Sequence, residues 1–120
     1  MARPRKFDEV EVVQQAMSLF AQNGFNATSI DELVEATGLL RGSLYKAFGS
    51  KLNIFLIGFE ECAAAFDVDN ERHLDLLTVA LRDLTLSDDS TKEICQKILA
   101  NHSDSLALNL GKNLLQRMEK

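Results

Sequence analysis

Between Gly38 and Lys51 the chain reads Gly-Leu-Leu-Arg-Gly-Ser-Leu-Tyr-Lys-Ala-Phe-Gly-Ser-Lys, with three cations and no acid. Leu39, Leu44 and Phe48 are spaced to pack inward on a short helix. That leaves Leu40, Arg41, Gly42, Ser43, Tyr45, Lys46 and Ala47 on or near its outer side. The chemistry of that set is hydrogen-bond donation to anions and to base edges. An arginine fork at Arg41 matches the two acceptors of a guanine edge, and Ser43 can bond a base or a phosphate. The Tyr45 hydroxyl and Lys46 suit phosphate oxygens, which fix position without reading sequence. Gly42 costs helix stability, but its missing side chain lets a backbone approach closely. Thr28 and Ser29 stand where a preceding helix would aim its first amides outward, a natural phosphate site. Lys51 opens the next helix, where a cation opposes the macrodipole unless an anion is near.

The rest of the chain offers little competing chemistry. Cys62 and Cys95 lack CxxC or Cys/His metal spacing, so they read as small buried hydrophobes in a reducing cytoplasm. His73 and His102 are 29 residues apart with no ligand set beside them. No Ser-His-Asp or Cys-His arrangement and no Gly-rich phosphate loop is legible, so neither enzyme activity nor a cofactor is expected. The longest apolar stretches fall far short of the roughly 20 residues that a membrane span needs, and the basic N-terminus leads into an acidic amphipathic segment rather than an apolar one. The net charge of −5 over 120 residues is unevenly spread. Residues 61–120 carry −4 and residues 1–60 only −1, with basic spots at Gly38–Lys51 and at Arg3, Arg5 and Lys6. An acidic body with basic spots fits a protein that touches one polyanion through one small face.

The elements that would position these residues are all helical. Pro4 is the single proline, and no stretch alternates long enough for a strand. Asp8 can cap a first helix, with Glu11 at the capping-box position and Phe7 stapled onto Val12; Gly24 supplies the stop. Ser29 and Glu32 form a possible capping box for a second helix, which turns Ile30, Leu33 and Val34 inward and ends at Gly38. A glycine-containing turn then leads to Arg41–Phe48. Two short helices so joined are the helix-turn-helix pattern, although spacing alone equally fits a plain helical bundle. Beyond it, helices are expected over 51 to about 66 and over 74–84, the latter with Leu77, Ala80, Leu81 and Leu84 on one face. Ser90 and Glu93 are a candidate box for a last helix. Its stripe of Cys95, Leu99, His102, Leu106, Leu110, Leu114 and Met118 is a candidate subunit contact or intrachain packing, with a break possible at Gly111.

The stretch from Thr28 to Lys51, with Gly24-Phe25 before it and Leu52 and Phe55 after it, resembles the DNA-binding signature of the TetR family of bacterial regulators. The turn glycine, the Gly-Ser-Leu-Tyr core and the Phe-Gly-Ser-Lys end agree in register, and the likeness covers residues 8–60. It implies an all-α fold: a three-helix DNA-binding domain over 1–50, then a helical dimerisation and ligand-binding domain over 51–120. It implies phosphate contacts at Thr28, Tyr45 and Lys51, major-groove positions for Arg41, Gly42 and Ser43, and Lys46 at the groove's edge. Leu40 departs from the small polar residue usual there; it could touch a thymine methyl or pack inside. Arg3, Arg5 and Lys6 could form an arm to the DNA or a solvated tail.

The function so implied is a cytoplasmic repressor that binds double-stranded, palindromic operator DNA as a homodimer and is released by a small-molecule effector. Residues 52–120 are shorter than the regulatory domain expected from that resemblance, with a short connection from Phe66 to Leu74. A shortened interaction protein that pairs with a full-length relative is the alternative. Cys62, Phe59, Phe66 and Leu77 could line an effector pocket or be plain core.

Overall fold

The computed structural model describes residues 7–119, so Arg3, Arg5 and Lys6 lie outside the described residues. Six helices follow one another: α1 (Glu9–Asn23), α2 (Ile30–Thr37), α3 (Arg41–Phe48), α4 (Lys51–Ala64), α5 (Glu71–Asp83) and α6 (Asp89–Gln116), closed by a 3-10 turn (Arg117–Glu119). Every regular element among the described residues is helical, as the patterning indicates. None of these helices is long and apolar enough to cross a membrane.

The starts follow local chemistry. The Asp8 carboxylate accepts the amides of Val10 and Glu11. Ser29 and Glu32 form the reciprocal capping box. Gly38 closes α2 in the left-handed region (φ 77°, ψ 4°), where its amide reaches the Val34 carbonyl. Two later starts differ from the pattern. Helix α5 begins at Glu71 rather than Leu74, because Asn70 accepts the His73 amide and caps a charged first turn that apolar periodicity overlooks. Helix α6 begins at Asp89, because the Asp88 carboxylate takes both the Thr91 amide and the Thr91 hydroxyl; Ser90 is inside the helix, not its cap.

One contiguous core runs from Val12 to Leu106. Its centre is aromatic: Phe20, Phe25, Phe55 and Phe59 stack or meet edge to face with centroids 5.3–5.7 Å apart. Phe20 and Phe25 belong to α1 and the loop after it, while Phe55 and Phe59 belong to α4. The core therefore crosses residue 50 without a seam. Helix α1 packs on α2, α4 and α5, and α6 packs on α4 and α5. Wedged between α1 and α6, α5 buries Leu74, Leu76, Leu77, Val79 and Ala80, with Leu84 just beyond its end. Leu81, expected to face inward with them, is exposed. Cys62 and Cys95 are buried free thiols, pushed up to about 12 and about 11 by burial, so they serve as apolar packing. Phe59 and Phe66 are likewise core, and Leu77 is core that also borders an apolar groove.

Helix α6 passes through Gly111 unbroken and kinks instead at His102 (φ −138°, ψ 24°). The cause is tertiary. The rings of His73 and His102 both pack on Phe66, at 5.6 and 5.5 Å. Beyond the kink, Asn109 donates to the Val68 carbonyl at 2.9 Å and Asn113 to the Asp75 carboxylate at 2.8 Å, which draws the second arm of α6 onto α5 and the loop before it. The apolar stripe is split as a result: Cys95 and Leu106 enter the core, whereas Leu99, Leu114 and Met118 face outward. Burial lowers the basicity of His73, against the Asp67 carboxylate and with the Arg72 charge, and its Nδ1 accepts the Asp67 amide at 3.0 Å.

Candidate nucleic-acid interface

Helix α3 is held as a shelf by two of its own side chains and one from the turn before it. Leu39, Leu44 and Phe48 are buried against the core. The turn into it is fixed by Thr37, whose hydroxyl donates to the Leu33 carbonyl at 2.7 Å and accepts the Leu39 amide at 3.2 Å. Its far end is tied to α4 by Asn53, whose side-chain amide donates to the Phe48 carbonyl at 2.8 Å. Everything anchored points inward, so the opposite face is presented.

That face carries Leu40, Arg41, Gly42, Tyr45 and Lys46, all exposed, with Ser43 half-buried beside them. Leu40 is 75% exposed and provides no side-chain cap, which removes the inward-packing alternative for it. At Gly42 an added Cβ would meet nothing within 4 Å. The protein's own packing therefore does not call for a glycine there, although glycine costs about 1 kcal/mol in a helix interior. The Arg41 guanidinium pairs with the Asp31 carboxylate of α2.

The structure gives the other three sequence candidates internal tasks. Thr28 is fully buried, and its hydroxyl donates to the Gly24 carbonyl at 2.6 Å. The Ser29 hydroxyl and amide both engage Glu32 in the capping box. Lys51 reaches back 26 residues: its Nζ donates to the carbonyls of Phe25 and Thr28, both at 2.9 Å, over the Phe25 ring at 4.3 Å. Burial lowers the Lys51 pKa, partly countered by Asp83. An ammonium has three N–H donors, so one remains for an outside acceptor.

The same loop is gripped from its other side by a residue that the sequence did not single out. The Asp83 carboxylate, at the end of α5 and 9% exposed, accepts the amides of Phe25 (2.9 Å) and Asn26 (3.3 Å). Arg82 braces it through Nε at 2.9 Å. Lys51 takes the loop's carbonyls and Asp83 its amides. Together they fix the segment from which α2, and so the helix-turn-helix, departs. No local signal marks Asp83, whose partners are 57 and 58 residues away.

The hydrogen bond from Arg82, above all, holds the Asp83 carboxyl below its ordinary value; burial opposes this, and the Asn26 and Phe25 amides add to it. A depressed carboxyl pKa contributes stability above the unfolded value of about 3.9, and that contribution disappears as pH falls through the folded value. Asp83→Asn is therefore expected to flatten the acid limb of the stability curve below about pH 4. Chemical denaturation across pH 2.5–6 would check this; equal slopes for the two proteins would refute it.

The family model described as bacterial regulatory proteins, tetR family, matches residues 12–56. The HTH-type transcriptional repressor ComR of Escherichia coli (strain K12) is 38% identical over 72 residues, covering 60% of this chain and 34% of its own. The HTH-type transcriptional repressor BdcR of the same organism is 43% identical over 53 residues, 44% of this chain and 27% of its own. The HTH-type transcriptional repressor AcnR of Corynebacterium glutamicum is 35% identical over 65 residues, 53% and 35% respectively. The chain thus aligns with about a third or less of each of these relatives. No solved structure matches.

Proposed function

We propose that this chain, which belongs to the tetR family of bacterial regulatory proteins through its α1–α4 segment, is a sequence-specific DNA-binding transcriptional repressor whose reading head lies within residues 1–50. The observation that carries the reading is the outer face of α3. It combines Arg41, a glycine with open space above it, Ser43, Tyr45 and Lys46, with no acid on the helix. In this assignment Arg41 addresses a guanine edge, Gly42 admits the groove wall, and Ser43 and Leu40 touch neighbouring base edges. Tyr45, Lys46 and the remaining Lys51 donor hold phosphates. Thr28 and Ser29 contribute by setting the start of α2.

The operator in this reading is two-fold symmetric and is bound by a homodimer, with half-sites about 34–36 Å apart. Residues 51–120 form the body that sets that spacing. The outward-facing Leu99, Leu114 and Met118 supply apolar surface to a second copy. An apolar groove of about 370 Å³, lined by Leu77, Leu81, Cys95, Leu99, Leu106 and Leu110, has the size that small-molecule sites need and is the candidate place for an effector. The repressor roles named for those relatives favour repression over activation.

Two substitutions test the reading head. On duplexes taken from upstream of its own gene, Arg41→Ala is expected to lose about 1–3 kcal/mol of discrimination between preferred and scrambled sequence. Lys46→Ala should weaken both duplexes alike and lower the salt slope by about 1. Anisotropy titrations at several salt concentrations read both effects. A wild-type chain without preference among fragments at low salt would sink the proposal.

A further inference from the structure

We propose that Asp31 is a specificity-determining residue of the α3 interface: it holds Arg41 ready for a base edge and makes a phosphate a poor substitute. This inference rests on the DNA-reading assignment above. The two side chains are ten residues apart in sequence, on either side of the α2–α3 turn, and pair through one carboxylate oxygen and one guanidinium nitrogen. Their side chains are 80% and 54% exposed, and a pair so exposed does little for the fold. Its consequence lies instead in what Arg41 can do next.

Arg41 opens α3, where the helix dipole disfavours a cation and the first turn of α3 holds no acid. Asp31, in the first turn of α2, supplies the counter-charge. Glu32, beside it, is committed to the Ser29 capping box. The ion pair uses part of a five-donor fork, so Arg41 keeps donors for the two guanine acceptors while still paired. A guanine edge carries no charge, so Asp31 is no obstacle there. A phosphate is different. If Arg41 leaves Asp31 for a phosphate, it uncovers a carboxylate facing a polyanion; if it stays paired, the carboxylate travels with it. Asp31 thereby weakens sequence-independent binding more than sequence-specific binding, and the ratio of the two rises.

The experiment uses the full chain with its preferred duplex, selected from a random pool, and a scrambled duplex at fixed salt. Asp31→Asn is expected to tighten the scrambled duplex more than the preferred one and to narrow the ratio about tenfold. Glu35→Gln removes the same charge from an exposed position on the same helix and should tighten both duplexes equally. In an Arg41→Ala background, Asp31→Asn should behave like Glu35→Gln, because its partner is gone. An Asp31→Asn chain that shifts both duplexes equally while the wild type keeps its preference overturns this inference and leaves the reading head standing. A wild type that selects no sequence overturns both.

Discussion

Phe55→Ala is expected to lower the unfolding free energy by about 3–5 kcal/mol, the range for removing a fully buried phenyl ring. Phe55 is 0% exposed and touches the rings of Phe20, Phe25 and Phe59. It therefore joins α1, the α1–α2 loop and α4 at one point. Small domains have about 5–15 kcal/mol in total, so one ring is a large share. Phe25 sits under Lys51 and beside Asp83, so the cavity should also loosen the loop that carries α2. Chemical denaturation measures the loss, and hydrogen exchange should place the loosening at Phe25 and Asn26 as well as in α1. A loss below about 1 kcal/mol would mean that the four rings are not the centre of the fold.

Gly24→Ala is expected to be strongly destabilising, for two reasons that add. Gly24 has φ 95° and ψ 167°, a conformation open essentially to glycine alone, and other residues there cost about 1–3 kcal/mol. In addition, a Cβ would fall 2.5 Å from Arg82 Nη2 and 3.3 Å from the Asp83 carboxylate. The arginine would have to move, and with it the brace that aims Asp83 at the loop amides. Gly111→Ala provides the opposite sign. It lies within α6 with nothing near its Cβ position, so alanine there should gain up to about 1 kcal/mol. Denaturation midpoints for the two variants should move in opposite directions; an unchanged or raised midpoint for Gly24→Ala would refute this account of the Gly24 site.

How much of this was legible beforehand depended on how local the cause was. The α1 and α2 starts, the stop at Gly38 and the inward trio Leu39, Leu44 and Phe48 are set by neighbours within four residues, and the pattern carried them. Asn70 was missed because Glu71 and Arg72 give α5 a charged first turn without apolar rhythm. Gly111 is the place where sequence makes a break in α6 possible, because glycine is intrinsically weak in helices. The kink instead follows from Phe66 packing on His102 and from Asn109 and Asn113 bonding across to distant partners, none of which a one-dimensional pattern records. The candidate site divides the same way. Residues of α3 were visible by type and spacing. Lys51 was visible as an unexplained cation, but its reach to the Phe25 and Thr28 carbonyls was not. Asp31 looked like an ordinary first-turn acid, and Asp83 like one of eleven acids in the second half.

The central claim is that α3 reads base sequence while its anchors keep it in place. Selection of duplexes from a random pool by the full chain, followed by sequencing, addresses it directly. The expected result is enrichment of a two-fold symmetric motif with half-sites spaced by about one helical turn or a multiple of it, and loss of one base preference in each half-site when Arg41 becomes alanine. A pool that stays unenriched at low salt, or a motif that Arg41→Ala leaves intact, would contradict it.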